Sequence, residues 1–436
     1  MSGWAERELH FIGIGGAGMS GLALVCARLG AAVSGSDRAE SSYLARLREG
    51  GLRPALGHDA ANLPAGAEVV VSTAIDDANP ELAEARRRSQ PVLHRGELLA
   101  ELCAYKRLIA IAGTHGKTTT AAMAVWALRA AGADPAFFLG GELPGIGERG
   151  EVANAGWGDG EWAVAEADES DASFLRLRPE VAVITNVEMD HHARWGSLAE
   201  LTRAFGEFVA PAAGVAIGPG AEPAPIAAER ALRFDESSPG PASLELAVPG
   251  RHNLLNARAA LAALQLAGAD LDAAAAALRE FPGVSRRLEL KGERAGARIY
   301  DDYGHHPTEV RAALEALREL GPRRLVAVFQ PHLYSRTKAL AEEFGSALAL
   351  ADEVAVLDVY PARERPVGEL EGVSGLLVAE AAADRSAGRP VWWLVDAERA
   401  ERALGPRLGV GEILVTIGAG DVFELAERLV GEDGDG

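Results

Sequence analysis

The run AGTHGKTTT, Ala112 to Thr120, carries the sharpest chemistry in this chain of 436 residues. It follows an apolar stretch of strand length and opens a helical pattern. Glycines there let backbone N–H groups wrap a polyphosphate, and the N-terminus of the next helix adds positive potential. Gly113, Thr114, His115 and Gly116 form the candidate wrap, with Thr119 just inside the helix. Lys117 would reach the β- and γ-phosphates, and the Thr118 hydroxyl would ligand Mg2+. Strict spacing for such a loop places glycine at 111, where Ile111 stands. A plain glycine turn before a helix is the alternative. Lysine is scarce, however, with only Lys106, Lys117, Lys291 and Lys338 in the chain, and one of the four sits in GKT after a strand. That favours a nucleotide.

A second glycine loop, GIGGAG from Gly13 to Gly18, follows the first apolar run and satisfies G-x-G-x-x-G. Asp37 ends the second strand, where a ribose-binding acid would lie. Alone this loop says only that a phosphate sits near a helix N-terminus; it does not choose between NAD and another nucleotide, and tight strand–helix packing would also use it.

Carboxylates and imidazoles cluster after two further strands, in EADESDASF (Glu166 to Phe174) and TNVEMDHH (Thr185 to His192). If these strands are parallel neighbours, Glu166, Glu169, Asp190 and His191 converge beside the γ-phosphate, and oxygen donors suit Mg2+. A solvated acidic loop suits Asp171 better than it suits Glu166, which closes a strand. Seven of the ten histidines (His115, His191, His192, His252, His305, His306, His332) fall in such dense polar clusters.

Downstream, GRHNLLNARAAL leads a helix in which His252, Asn253 and Asn256 share one face. The amides could read an adenine edge; helix capping by Asn253 is the plain reading. RRLEL brings Arg286 and Arg287. YDDYGHHPTE and FQPHLYSRTK each run from a strand into a helix, with Asp301 or Asp302 placed for a ribose and Arg336 and Lys338 for anions. Three such loops with three histidines favour a site over isolated caps.

The elements that must position these groups are legible. Short apolar runs at Leu9, Glu68–Ser72, Arg107–Gly113, Trp162–Glu166, Val181–Thr185, Arg324–Phe329, Glu353–Asp358, PVWWLV and EILVTIG alternate with helical stretches, one of them Glu97–Leu102. That pattern predicts parallel α/β sheets. Length predicts two or three domains, with boundaries near Tyr105 and Phe281–Val284. Pro211–Pro241 and Gly140–Gly160 read as loop-rich connections, and the tail GEDGDG as disordered.

Composition excludes several classes. No run of eighteen apolar residues exists, so no membrane span is expected. Two cysteines, Cys26 and Cys103, exclude a disulfide framework and a cysteine-based zinc site. The start MSGWAEREL lacks a basic-then-apolar pattern, so no secretory signal is expected, and the two cysteines fit a reducing cytoplasm. A net charge of −20 argues against nucleic acid and anionic lipid as partners. An anionic substrate would therefore need local donors.

Taken together, GIGGAGMSGLA, AGTHGKTTT, EADESDASF, the DH of TNVEMDH, GRHNLLNA, DDYGHHPTEV, QPHLYSRT and DVYPARE resemble the Mur ligase family, in that family's order and over nearly the whole chain. The resemblance implies an α/β protein of three domains. They are a Rossmann-like domain over 1–105 for a UDP-linked substrate, a P-loop ATPase domain over 106–283, and an α/β domain over 284–436 that brings the amino acid. It further implies ATP-dependent ligation of L-alanine to the lactyl carboxylate of UDP-N-acetylmuramate through an acyl phosphate, by a monomer or homodimer. By this likeness Gly13, Gly15, Gly16, Ala17, Gly18, Asp37 and Ser72 meet the UDP end. Lys117, Thr118, Glu166 and His191 fall on phosphate- and metal-binding positions. Asn253 and Asn256 belong to the adenine motif, Arg287 to the γ-phosphate and Asp302 to the ribose. His305 and Arg336 match positions near the incoming alanine. Many members carry Arg where this chain has Leu333, so a second donor to the alanine carboxylate is missing or supplied elsewhere. A family member that recycles the intact tripeptide is the nearest rival, although Tyr303-Gly304 favours the alanine-adding enzyme. A nicotinamide dehydrogenase would leave AGTHGKTTT unexplained, and a non-catalytic nucleotide switch would bind ATP without releasing phosphate.

Overall fold

The computed structural model describes residues 3–147, 153–189, 194–221, 230–235, 238, 244–362 and 364–431. The chain groups into two compact units. One holds Met1–Leu246 and Leu254–Pro282, the other Ala247–Asn253 and Gly283–Gly436.

The first unit contains two sheets. Strands β1 (Glu8–Ile12), β2 (Ala32–Asp37), β3 (Ala55–Leu56), β4 (Glu68–Val71) and β5 (Val92–His94) pair in the order β3-β2-β1-β4-β5, all parallel. Between them run α1 (Ala17–Arg28), α2 (Ser42–Glu49) and α3 (Pro80–Arg87), and α4 (Arg95–Cys103) follows β5. The order reverses between β1 and β4, and that reversal opens a crevice at the carboxyl ends of these two strands. The helix starts are written locally. Asn79 caps α3 ahead of Pro80, and His94 and Glu97 form a capping box for α4.

The second sheet comprises β6 (Arg107–Ala112), β7 (Ala136–Leu143), β8 (Ala153–Gly156), β9 (Trp162–Glu166), β10 (Val181–Ile184), β11 (Gly214–Ile217) and β12 (Arg230–Arg233). The order is β12-β11-β10-β6-β9-β7-β8, parallel except for the β7–β8 hairpin. Helices α5 (Lys117–Ala130), α6 (Leu198–Val209), α7 (Arg251–Ala267) and α8 (Leu271–Leu278) follow in sequence. β6 and β10 are apolar almost throughout because helices cover both faces.

Three expectations are corrected here. The strands ending at Glu166 and Ile184 are not neighbours; β6 lies between them, so both flank the phosphate loop. Gly140–Gly160 contains the end of β7 and all of β8, and Pro211–Pro241 contains β11 and β12. Glycine and alanine hide these strands because they lack the branched side chains that mark a pleated surface. The tail after Gly431, read as disordered, lies outside the described residues.

One buried apolar cluster runs through both sheets of this unit, from Phe11, Ile14 and Cys26 through Leu98 and Leu102 to Phe174, Phe205 and Phe208. Helix α4 is the hinge of that packing. Gly96 sits so close to Ser173 that a Cβ there would lie 2.5 Å from the serine Cβ.

In the second unit, β13 (Glu289–Arg294), β14 (Ala297–Asp302), β15 (Leu325–Phe329), β16 (Glu353–Leu357), β17 (Val391–Val395) and β18 (Ile413–Ile417) pair in the order β13-β14-β18-β15-β16-β17, antiparallel only at β13–β14. Helices α9 (Pro307–Glu319), α10 (Tyr334–Leu348), α11 (Leu376–Arg385), α12 (Ala397–Leu404) and α13 (Phe423–Gly431) cover it. Both cysteines are buried and unbridged. Among the described residues no helix is long and apolar enough to cross a membrane.

Candidate active site

The loop from Gly113 to Gly116 bends from β6 into α5 through two left-handed glycines, with φ of +130° and +81°. Side chains are excluded there. A Cβ on Gly113 would strike Thr185 Oγ1, and one on Gly116 would strike Asn256 Oδ1. The segment after β10 braces the loop. Asn186 Oδ1 accepts from His115 N at 2.9 Å, its Nδ2 donates to His115 O at 2.9 Å, and Thr185 Oγ1 donates to the same oxygen at 2.6 Å. The Thr114 hydroxyl donates to Glu188 O at 3.0 Å and accepts from Glu188 N at 2.9 Å. His115 Nε2 lies 3.2 Å from Glu188 Oε2. Thr185–Glu188 therefore hold the loop's shape, a role the sequence reading had not given them. Asp190, His191 and His192 lie outside the described residues.

Lys117 folds its ammonium back into the loop, donating to Gly113 O at 2.6 Å and Thr114 O at 3.0 Å, with Glu169 Oε2 at 2.9 Å. Burial works against its charge, but Glu169, Asp168 and Glu166 outweigh burial and raise the ammonium above the usual lysine range. Burial pushes the Glu169 carboxyl up to about 7, and Lys117 holds it from going higher. Thr118 and Thr119 are buried in the first turn of α5. Glu166 ends β9 and accepts from Gly140 N at 2.8 Å. Two hard oxygen donors, Thr118 and Glu166, thus sit at the carboxyl edge of one sheet, a donor chemistry that fits Mg2+.

Asn256 packs against Gly116 and takes part in a 3.4 Å hydrogen bond with the Thr120 hydroxyl. Asn253, assigned to the other unit, donates to Pro249 O at 2.8 Å at the start of α7. This bond ties Asn253 to the chain ahead of the helix; it is not the capping bond weighed for it, in which a side-chain oxygen accepts from a backbone N–H.

The other glycine loop opens into the β1/β4 crevice. Gly13 has φ +77°, and Gly13 N and Ile14 N donate to Ser36 O at 2.8 and 3.0 Å. Gly15 N donates to Asp37 Oδ2 at 2.8 Å, and Arg38 N to Asp37 Oδ1 at 2.7 Å. Asp37 therefore shapes the loop itself. Gly16 precedes α1 and accepts from Met19 N and Ser20 N, while Ala17 O accepts from Asn154 Nδ2 at 2.6 Å. Gly18 lies under the Arg95 guanidinium. Ser72, just after β4, takes part in the next turn through a 3.4 Å bond from Ala74 N.

In the second unit, Asp302 ends β14 and accepts from Leu288 N and Gly304 N, both at 2.8 Å. Burial, opposed by Arg287, pushes its carboxyl up to about 6. Arg286 is committed to Asp301 at 3.0 Å and to Gly418 O at 2.7 Å, while Arg287 lies 3.7 Å from Glu309. His305 Nδ1 sits 3.1 Å from Tyr303 O, and its ring centroid is 6.1 Å from that of His332. His332 stacks on Tyr360 at 5.8 Å and lies 3.5 Å from Arg336 Nη1. The loops after β14, β15 and β16 thus bring His305, His332, Arg336 and Tyr360 into one cluster. His306 caps α9 together with Glu309. Burial and the neighbouring Arg287 bring the His252 imidazole down to about 4, so it is neutral at pH 7.

Models of the Mur ligase family match in three consecutive blocks: the catalytic domain over residues 8–107, the middle domain over 111–231 and the glutamate ligase domain over 286–420. The chain belongs to the Mur ligase family. Such a protein is an ATP-dependent ligase that forms amide bonds. It is 48% identical to the UDP-N-acetylmuramate–L-alanine ligase of Kineococcus radiotolerans, over 97% of this chain and 95% of that one. With the enzyme of the same name from Rubrobacter xylanophilus it shares 44% identity, over 97% and 99%. Its fold superposes on the UDP-N-acetylmuramate–alanine ligase MurC of Thermotoga maritima with a TM-score of 0.83 at 29% identity, covering 98% and 99% of the two chains. A murein peptide ligase from Psychrobacter arcticus, at 24% identity and a TM-score of 0.71, shares the fold.

Besides Thr185 and Glu188, four further contributors escape the sequence patterns. Asn186 holds the phosphate loop, Tyr360 stacks on His332, and Asp168 and Arg95 form an ion pair at 3.2 Å. Asn186 and Asp168 stood inside motifs already singled out. Arg95 had no local signal, since arginine is the common cation of this chain.

Proposed function

We propose that this Mur ligase joins L-alanine to the lactyl carboxylate of UDP-N-acetylmuramate at the expense of ATP, in peptidoglycan precursor synthesis in the cytoplasm. The observation that carries the reading is the pairing, in one compact unit, of a phosphate cradle closed on Lys117 with a glycine-loop crevice on a second sheet. The 43–48% identity to enzymes of that name over nearly the full chain supports the choice of substrates. The division into 1–105, 106–283 and 284–436 as substrate, ATP and amino-acid domains belongs to the same proposal.

A carboxylate does not condense with an amine at neutral pH, because oxide is a very poor leaving group. The lactyl carboxylate oxygen attacks the γ-phosphorus of ATP, ADP departs, and an acyl phosphate results. The neutral amine of alanine attacks the acyl carbon, and the tetrahedral intermediate collapses with loss of phosphate. The amine proton goes to a base, for which His305 is placed among the groups of the second unit. Two anions must meet in the first step, so Lys117 and the N-terminus of α5 lower its barrier by supplying positive charge. Thr118, Glu166 and His191 are the residues proposed to hold Mg2+, which when bound neutralises phosphate charge. Asn253 and Asn256 are assigned to adenine, Asp302 to the ribose, Arg287 to the γ-phosphate and Arg336 to the alanine carboxylate. This requires the second unit to deliver its groups during turnover and to exclude water from the acyl phosphate.

The test is phosphate release with ATP and UDP-N-acetylmuramate, varied over the twenty amino acids and the murein tripeptide. L-alanine should give the highest kcat/KM. A preference for the tripeptide would move the chain to the recycling branch, and tight NADH binding would overturn the reading of the glycine loop.

A further inference from the structure

Arg95 stands where the glycine loop of one sheet meets the acidic loop after β9 of the other. It is the first residue of α4, and its backbone is fixed by the box in which Gly96 N donates to His94 Nδ1 at 3.2 Å and His94 N to Glu97 Oε2 at 2.8 Å. From there the guanidinium reaches the glycine loop. Its Nη1 lies 3.1 Å from where a Cβ on Gly18 would be, so the bare backbone of Gly18 is what lets it rest on the first turn of α1. Its Nη2 lies 3.2 Å from Asp168 Oδ2 and 3.1 Å from Asp171 Oδ2, both in the loop after β9.

This arrangement is costly without a further purpose. The first turn of a helix carries positive partial charge, which disfavours an arginine and favours an anion. Two carboxylates offset that cost, and one of them is shared. Asp168 also faces Lys117. The charges of both Arg95 and Lys117 act on that carboxylate. A chain of alternating charge, Arg95–Asp168–Lys117, therefore runs from the glycine loop to the phosphate cradle. The Arg95 side chain keeps 23% of its surface exposed, so an incoming anion can reach it.

We propose that Arg95 is the acceptor-side cation of the ligase. It binds an oxyanion of the UDP-linked substrate beside Gly18, exchanging part of its contact with Asp168 and Asp171 for that anion, and so holds the acceptor next to the ATP cradle. This rests on the substrate reading above. Phosphoryl transfer to a carboxylate brings two anions together; Lys117 serves the donor, and Arg95 serves the acceptor. UDP-N-acetylmuramate offers two oxyanions of this kind, the diphosphate and the lactyl carboxylate. A planar guanidinium accepts either in two-point contact.

The experiment compares the full-length wild type with Arg95→Ala, Arg95→Lys and Gly18→Ala. Steady-state KM values for UDP-N-acetylmuramate and for ATP are measured, with calorimetric binding of UDP and of UDP-N-acetylmuramate in the absence of ATP. Arg95→Ala should raise the KM for UDP-N-acetylmuramate at least tenfold and move the ATP KM less than threefold. Arg95→Lys should recover only part of the loss. Gly18→Ala, whose new methyl crowds the guanidinium while leaving its charge, should shift the same KM in the same direction, which keeps the test alive if Arg95→Ala does not fold. Equal loss of UDP and UDP-N-acetylmuramate binding would locate the contact at the diphosphate; loss confined to UDP-N-acetylmuramate would locate it at the carboxylate. Wild-type binding of both ligands with unchanged binding and KM in the variants, and only a lower melting temperature, would make Arg95 a structural clip between α4 and the loop after β9. Failure of the wild type itself to bind UDP-N-acetylmuramate would instead overturn the substrate reading on which the proposal rests.

Discussion

Lys117 Nζ and Glu169 Oε2 lie 2.9 Å apart, and the Glu169 side chain is 1% exposed. In the nucleotide-free chain the ammonium meant for phosphate is therefore compensated by a buried carboxylate. Removing one partner of a buried ion pair costs up to about 3–5 kcal/mol, less here because Asp168 and Glu166 still act on Lys117. Glu169→Gln should lower the melting temperature of the free enzyme. Added ATP should raise it by more than in the wild type, because phosphate then supplies the missing anion. Lys117→Ala should abolish phosphate release and leave UDP-N-acetylmuramate binding within about twofold, since the glycine loop lies on another sheet. Thermal melts with and without a non-hydrolysable ATP analogue, and calorimetry with UDP-N-acetylmuramate, check both. An ATP-induced rise no larger in Glu169→Gln than in the wild type would refute the compensation argument.

The proposed metal set makes a separate prediction. Glu166→Gln and His191→Ala should each raise the Mg2+ concentration needed for half-maximal phosphate release. Excess Mg2+ or Mn2+ should partly rescue each single variant, and Mn2+, which accepts nitrogen donors more readily, should help most where His191 is retained. The double variant should be little worse than the poorer single one, because residues acting as a unit are non-additive. A lower melting temperature with unchanged metal dependence in both single variants would remove them from the metal site.

The strands that carry the site were legible because helices on both faces force them to be apolar: Arg107–Ala112 and Val181–Ile184 announce themselves. The phosphate loop was legible because lysine is scarce and glycine at positive φ has no substitute. Strand order was hidden. That β6 separates β9 from β10 is a long-range pairing choice, made by the whole sheet rather than by either strand's sequence. Asp37 was legible as an acid at a strand end, but not as the acceptor that shapes Gly15, because a hydrogen bond across 22 residues leaves no local pattern. Arg95 was invisible for the same reason, its partners lying more than seventy residues away.

Glu81 provides a prediction in acid. It is fully buried in the first sheet's unit, with Ser36 Oγ donating at 2.6 Å, Asn62 Nδ2 at 2.8 Å, Asp59 N at 3.1 Å and His10 Nε2 at 3.1 Å. Burial alone would raise its carboxyl, but these partners bring it from 4.5 to about 2. A depressed carboxyl stabilises the fold fully above its unfolded value and loses that contribution as pH falls toward the folded value. The shift corresponds to about 3 kcal/mol, present at pH 7 and declining between roughly pH 5 and 2. Urea unfolding of wild type and Glu81→Gln should therefore differ most near neutrality and converge as the pH is lowered through this window. A gap that stays constant from pH 7 to pH 3 would mean that the network's worth does not depend on the charge.

Leu333 stands where the family resemblance leads one to expect Arg, and its backbone tells how to test that expectation. It precedes α10 with φ +70° and ψ +133°, its N–H donating to Tyr360 O at 3.0 Å and its carbonyl accepting from Thr337 N at 3.0 Å. A residue with a Cβ held there costs about 1–3 kcal/mol. Leucine and arginine both carry that Cβ, so Leu333→Arg leaves the strain as it is and adds only a guanidinium beside His332 and Arg336. If this cluster receives the alanine carboxylate, the variant should lower the KM for L-alanine by about tenfold, the worth of one added charge-assisted hydrogen bond, with the ATP KM and the melting temperature nearly unchanged. Leu333→Gly separates the two effects. It relieves the strain and supplies no donor, so it should shift the melting temperature and leave the alanine KM alone. An alanine KM unmoved by Leu333→Arg would place the amino-acid carboxylate away from the loop after β15.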